Sequence, residues 1–208
     1  MVKITYIITG AVLIVALVAI GAFVYYHGSA PTAPAPTPWP APGLTNGTEA
    51  GITAFQALSL GNNDASVKRW MANNKNASIA EISSEFCDGG LSDTWKLTYA
   101  SDSEEATVKI GNMTVQDVTF AKTPERVFPR QQLITDKLID SDRACGIASN
   151  SLANIGDATD GPASITLTMK GSGTPIWDIN YPIASGYYIF RIDASGGKIT
   201  ESVQVNGS

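Results

Sequence analysis

The sequence predicts an α+β protein that is tethered to a membrane, and three features of the chain carry this prediction. An uncharged apolar run occupies residues 4–26, a proline-rich stretch occupies residues 31–43, and the remainder contains an internal repeat. We therefore expect an N-terminal transmembrane helix, a Pro-rich stalk, and two units that each consist of a helix packed on a small antiparallel sheet.

The apolar run is long enough to cross a bilayer. As a helix it would span roughly 34 Å, which exceeds the thickness of the hydrocarbon layer. Tyr25 and Tyr26 end the run, and tyrosine suits the membrane interface. A cleaved signal peptide has a shorter apolar region of about 7–15 residues, although residues 28–30 (Gly-Ser-Ala) leave cleavage open. We expect residues 1–27 to be a retained transmembrane signal-anchor.

The positions of the basic residues predict the orientation of this anchor. Lys3 precedes the apolar run, and the next Lys or Arg is Lys68. Positive charge remains on the cytoplasmic side of single-pass proteins. The predicted localisation is the cell membrane, with a single pass and an extracytoplasmic C-terminal domain.

The linker after the anchor, residues 28–45, is dominated by proline. Such a run forms polyproline II and acts as a semi-rigid spacer. A ligand for an SH3-type domain and a Thr-glycosylated stalk are the alternatives. The prolines lie at positions 31, 34, 36, 38, 40 and 42.

The internal repeat divides the rest into two units, residues 46–124 and 125–208. Residues 95–99 (WKLTY) match residues 177–181 (WDINY), and residues 107–110 match 189–192 at the same offset without a gap. Apolar and polar side chains alternate in each block, which is typical of half-buried antiparallel strands. Each unit is therefore predicted to consist of a helix followed by about four short antiparallel strands.

The helix of each unit has a candidate N-cap and an apolar stripe. Asp140 or Ser141 can cap the second helix, and Asn62 or Asn63 can cap the first. The predicted stripes are Val67, Trp70 and Met71 in the first unit and Ala144, Ile147, Ala148, Ser151, Leu152 and Ile155 in the second.

The second unit resembles PepSY-type domains. Residues 138–148 (LIDSDRACGIA) are similar to the helix start of that family, and residues 177–181 and 187–199 are similar to its paired strands and closing turn. The first unit resembles the same family less closely, with Gly111-Asn-Met-Thr114 in place of the Asp-Ala-x-Gly-Gly turn. The resemblance implies extracytoplasmic, non-catalytic modules, for which inhibition or regulation of peptidases has been suggested, and it carries over no catalytic residues.

Composition excludes several classes of function. The formal net charge is -5, which argues against nucleic acid and anionic lipid as partners. The single histidine, His27, lies at the predicted membrane boundary. Ser-His-Asp and Cys-His catalysis and His-containing zinc sites need an imidazole beyond that point. We expect no enzyme activity, no metal and no cofactor.

The two cysteines, Cys87 and Cys145, are predicted to form a disulfide between the units. Outside the cytoplasm, a single pair of cysteines is most simply a disulfide. Two unlinked buried thiols are the alternative.

Five further residues are candidate surface sites. Four asparagines, Asn46, Asn76, Asn112 and Asn206, begin N-x-S/T sequons for N-glycosylation. The alternation of the large aromatics favours core packing over a groove for sugar or peptide; they are Trp95, Tyr99, Trp177, Tyr181 and Tyr187. Tyr188, on the opposite face from Tyr187, is the best candidate for an exposed aromatic that contacts a ligand.

Together these features predict a membrane-anchored, extracytoplasmic, non-enzymatic binding or regulatory module. Its expected partner is a protein or peptide at the cell surface, such as a peptidase that it modulates. The alternative is a structural cell-surface component, such as an envelope-layer or pilin-like subunit.

Overall fold

The computed structural model describes residues 51–123, 133–155, 159–169 and 173–207. Eight antiparallel strands form one sheet in the order β4-β3-β2-β1-β5-β6-β7-β8. The elements, in chain order, are α1 (Ala54–Asn63), α2 (Ala65–Asn73), β1 (Ser78–Cys87), β2 (Thr94–Ala100), β3 (Glu104–Gly111), β4 (Thr114–Lys122), a 3-10 turn (Thr135–Lys137), α3 (Ser141–Ile155), β5 (Ala163–Met169), β6 (Pro175–Ile183), β7 (Gly186–Asp193) and β8 (Lys198–Asn206).

The predicted arrangement of two units, each with its own small sheet, is wrong. Strand β1 pairs with β5 in the middle of the molecule, from Glu81 opposite Thr168 to Cys87 opposite Ala163. This ladder joins what would have been two sheets into one, because each strand offers its partner the unpaired backbone groups of an edge. The described residues between Thr45 and Ser208 accordingly belong to a single compact unit.

The sheet has an approximate two-fold axis between β1 and β5. We call residues 51–123 the first half and residues 133–207 the second half. Ile82 lies opposite Leu97 on one side and Leu167 on the other. Its counterpart Ile165 lies opposite Ile179 on one side and Ser84 on the other. Outward from the centre of the sheet, the strands of the two halves therefore pair in the same way.

The first half contains two helices where the sequence predicts one. Asp64 has extended backbone angles, so α1 ends there, and its carboxylate accepts hydrogen bonds from the amides of Ser66 and Val67 to begin α2. Asp64 is thus the cap of α2, and the prediction of Asn62 or Asn63 is wrong. Thr53 and Gln56 close the start of α1 with a reciprocal capping box.

The helices cover one face of the sheet, and two tryptophans anchor this packing. Trp95 is 2% exposed and Trp177 is 0% exposed. The indole Nε1 of Trp95 donates to the carbonyl of Ile52 at 2.9 Å, and that of Trp177 donates to the carbonyl of Ile139 at 3.0 Å. Both carbonyls lie just before a helix. The prediction that the two tryptophans are equivalent and buried is confirmed.

The starts of α1 and α3 meet at the centre of the molecule. The hydroxyl of Ser141 accepts from the amide of Ala54 at 2.9 Å and donates to the carbonyl of Gly90 at 2.6 Å. The carboxylate of Asp140 accepts from the amides of Phe55, at 3.1 Å, and Ser141, at 2.7 Å. One carboxylate therefore serves two helix N-termini, where negative charge is favourable.

The predicted transmembrane helix is absent from the part of the chain that the structure describes. Within residues 51–123, 133–155, 159–169 and 173–207, no helix has the length and apolar character to cross a membrane. The apolar run at 4–26, His27 and the Pro-rich stretch at 28–45 lie outside the described residues.

Replacing either tryptophan with alanine should destabilise the whole sheet. We expect Trp95→Ala and Trp177→Ala each to lower the free energy of unfolding by about 3–5 kcal/mol, as for other buried aromatics. Urea denaturation followed by far-ultraviolet circular dichroism measures the loss. A loss below about 1 kcal/mol at either position would contradict the equivalence of the two sites.

Removing the shared cap should weaken the junction between the halves. Asp140→Ala leaves the amides of Phe55 and Ser141 without their acceptor, so we expect a loss of about 1–3 kcal/mol in the free energy of unfolding. Asp136→Ala, on the exposed 3-10 turn, is the matched control and should change stability by less than about 0.5 kcal/mol. Equal effects of the two substitutions in urea denaturation would show that the shared cap contributes nothing.

Candidate binding surface

The face of the sheet opposite the helices is open, and most of it is polar. Strand alternation assigns the side chains, because residues two apart share a face. Phe190 and Ile192 are buried towards the helices, so Ile189 and Arg191 point to the open face. The polar residues that alternation places there include Ser83, Lys96, Thr98, Thr107, Lys109, Thr166, Thr168, Asp178 and Asn180.

The exception is an apolar area at one end, which we call the β7–β8 patch. It consists of Tyr187, Ile189, Val203 and Val205. Ile189 lies opposite Val203 and Tyr187 lies opposite Val205. Val203 is 39% exposed and Val205 is 43% exposed, so the patch presents apolar surface to solvent. Pro182 on β6, opposite Tyr187, extends it inwards.

The first half provides an internal comparison for this patch. The positions equivalent to Ile189 and Val203 are occupied by Thr107 and Thr119, which lie opposite each other on β3 and β4. The positions equivalent to Tyr187 and Val205 are likewise Glu105 and Ala121. The same ladder is therefore built with a polar surface in the first half, and the fold does not require the patch to be apolar.

An ion-pair network borders the patch. The guanidinium of Arg191 bonds to Asp178 at 3.0 Å and also pairs with Glu201. These two carboxylates raise the pKa of Arg191 above its usual value, with Glu201 the larger cause. Two carboxylates therefore hold one guanidinium, and Glu201 lies two residues before Val203 on the outer strand β8.

Strand β8 is one end of the sheet and has a neighbour on one side, β7. All of its residues except Ile199 are exposed. Its outward-facing amides and carbonyls are the type of unpaired edge that other chains can join.

The predicted disulfide is replaced by two free, buried thiols. Cys87, at the end of β1, and Cys145, in α3, are each 1% exposed. A hydrogen bond between the two thiols is the largest influence on both: it raises the pKa of Cys87 and lowers that of Cys145. The fold brings the two thiols together, as a disulfide would require. The disulfide itself was predicted only because the chain was expected to lie outside the cytoplasm, where paired cysteines are usually oxidised.

Tyr188 is half-buried on the helix-covered face and not fully exposed. Its ring stacks on Phe190, with centroids 4.9 Å apart. Ligand contact at Tyr188 stays a prediction. The aromatic of this pair on the open face is Tyr187, so the prediction that alternation directs Tyr187 into the core is wrong.

The sequons occupy different environments. Asn76 is exposed, and its amide donates to the carboxylate of Asp102 at 3.1 and 3.3 Å. Asn112 lies in the turn between β3 and β4, and Asn206 ends β8. Asn46 lies outside the described residues. Glycosylation at all four stays a prediction.

Metal binding has no candidate within the described ranges. There, no three or more His, Cys, Asp or Glu side chains gather in a way that could hold an ion. What the described part of the open face offers is apolar side chains beside an ion-pair network, next to β8 as the outer strand.

Comparison with known proteins supports the fold. No family model and no curated protein matches the chain. A solved structure that is similar is the crystal structure of a candidate lipoprotein from Clostridium difficile 630, with a TM-score of 0.50 and 17% sequence identity. The similarity covers 66% of this chain and 89% of that protein. At this identity the likeness describes the fold alone.

Alkylation can test the state of the cysteines. We expect chain denatured without reductant to take up two iodoacetamide adducts, measured by intact mass. Native chain should react slowly because both thiols are buried. A denatured chain that resists alkylation until reductant is added would show that the pair is oxidised.

Proposed function

We propose that this chain is a non-enzymatic module that binds a polypeptide partner at the cell surface, and that the β7–β8 patch is the binding surface. The observation that carries the proposal is the difference between the halves. At positions with the same backbone pairing, the first half has Thr107 and Thr119, whereas the second half has Ile189 and Val203.

The shape and composition of the patch favour a macromolecular partner. Small molecules bind in concave sites that enclose most of their surface, whereas this surface is a sheet face. Its tyrosine and its exposed aliphatic side chains, with an arginine at the margin, are the combination found at the centres and rims of protein interfaces.

The cell-surface location draws support from the structural neighbour, which is named as a candidate lipoprotein. Lipid attachment is said of that neighbour alone and is not part of the proposal for this chain. The resemblance to PepSY-type domains supports a regulatory role without catalysis, and modulation of a peptidase is the specific form of that role.

Selection of peptides provides a test of the binding surface. Random 12-residue peptides displayed on phage would be selected for binding to the immobilised chain. The affinities of the selected peptides would then be measured for the unmodified chain and for the Ile189→Thr/Val203→Thr variant. This variant copies the first half. We expect about a tenfold loss of affinity, since two aliphatic side chains no longer bury apolar surface.

The reciprocal variant, Thr107→Ile/Thr119→Val, is the matched control and should bind the same peptides as the unmodified chain does. Because exposed strand positions tolerate both threonine and β-branched aliphatic residues, we expect both variants to fold. Equal binding of the selected peptides to the Ile189→Thr/Val203→Thr variant would refute the patch as the binding surface.

A structural role at the cell surface is the second candidate, and the two outer strands favour it. Among the strands that the structure describes, β4 and β8 are the outermost, so β8 of one copy could pair with β4 of the next and generate an open filament. Sedimentation velocity of the full chain separates the candidates. Growth into large species with rising concentration supports the structural role, and a constant monomer supports the binding module.

A further inference from the structure

We propose that a cleft between α2 and the β3–β4 hairpin binds one pyranose ring of a neutral glycan. We call it the Trp70 cleft, and its lining includes Arg69, Trp70, Asn73, Asn74, Glu104 and Phe120. The cleft is at the β4 margin of the sheet, on the side that the helices cover. The β7–β8 patch is at the other margin and on the open face, so this inference goes beyond the proposed function.

Two contacts of Trp70 build the cleft. The indole Nε1 donates to the carboxylate oxygen Oε2 of Glu104, on β3, at 3.1 Å. The indole ring stacks on Phe120, on β4, with centroids 6.2 Å apart and planes inclined by 20°. These contacts hold α2 against the two outer strands of the first half, and a cleft of about 430 Å³ opens beside them. This volume lies in the range of small-molecule sites.

The ring of Phe120 is offered to solvent at the cleft, although the fold does not require an aromatic residue there. Phe120 is 50% exposed. The equivalent position in the second half is Gln204, and the position equivalent to Glu104 is Gly186. The same ladder therefore forms without this ring and without this carboxylate, so the pair is particular to the first half.

Polar groups around the ring are available to a ligand. Arg69 and Asn73 are four residues apart on α2, so they lie on the same side of the helix, and both are exposed. Within the part of the chain that the structure describes, neither side chain has a hydrogen bond or an ion pair. Glu104 uses Oε2 for the indole, which leaves Oε1 as an acceptor. The cleft thus offers both donors and acceptors.

This combination matches the chemistry of a sugar. A pyranose ring has a face of C–H groups and a rim of hydroxyls that each donate and accept hydrogen bonds. The C–H face packs on an aromatic ring, and neighbouring hydroxyls bond to planar groups such as guanidinium, amide and carboxylate. Because the lining carries both a cation, Arg69, and a carboxylate, Glu104, it favours a neutral ligand. A peptide would need a strand edge or an apolar groove, and the cleft offers one exposed ring among polar groups.

Nuclear magnetic resonance of the full chain can test the site, with the chain kept in solution by a detergent that contains no sugar. The probes are cellotriose, maltotriose, chitotriose and mannotriose, titrated into chain labelled with ¹⁵N. We expect at least one of them to shift the indole N–H signal of Trp70 with a Kd of about 1 mM or tighter. Trp95 and Trp177 lie beneath the helices, so their signals should not move. Trp→Phe substitutions assign the signals.

Two variants define the contacts of the sugar. Phe120→Gln copies the second half and should weaken binding about tenfold, because the C–H face loses its ring. Arg69→Ala should weaken it about fivefold through the lost hydrogen bonds. Lys68→Ala is the matched control for a basic residue of α2, since Lys68 does not line the cleft, and it should bind normally. Unchanged signals of Trp95 and Trp177 show that each variant is folded.

Three results would overturn the inference. The first is that none of the four saccharides moves the Trp70 signal, and the second is that Phe120→Gln binds as the unmodified chain does. The third is that the display-selected peptides, and no saccharide, move that signal. The Ile189→Thr/Val203→Thr variant separates this inference from the proposed function, because it should lose the peptides and keep the sugar.

Discussion

The pairing of β1 with β5 is the constraint on which the rest of the structure depends. Each half presents an edge strand at the centre, and the ladder from Glu81 to Cys87 removes both edges at once. The helices follow from that geometry. Because the two central strands are antiparallel neighbours, α1 and α3 begin close together, and Asp140 and Ser141 bond to the amides of the other helix. Changes at this junction affect both halves, since they share one sheet and one core.

This arrangement directs interaction to the margins of the molecule. The centre of the sheet is paired on both sides, and one face is covered by helices. What remains is the open face and the outer strands. The two margins have equal backbone pairing but different side chains, so side-chain chemistry distinguishes them. The Arg191 network is part of that difference, because its three members, Asp178, Arg191 and Glu201, lie where the first half has Lys96, Lys109 and Asp117.

The sequence was informative where a local pattern decides the outcome. Alternation located the strands around Trp95 and Trp177, and the repeat established that they are equivalent. The sequence could not show that β1 pairs with β5, because two strand edges pair through backbone hydrogen bonds, which depend little on the identity of the side chains. It also missed the patch. Val203 and Val205 alternate with polar residues as core valines do, and periodicity does not reveal which face a helix covers. The cysteine state depends on redox environment, which residue order does not encode.

The central ladder also affects how the chain folds. The hydrogen bond between Ala54 and Ser141 joins residues 87 apart in sequence, so the junction between the halves closes late. During synthesis, a chain complete only as far as β4 has β1 as an exposed edge. A second copy at the same stage offers an identical edge, and its later β5 can occupy the wrong partner. We therefore expect exchange of halves between molecules to be the main hazard of misassembly for this architecture, because the exchanged form would bury the same contacts as the monomer.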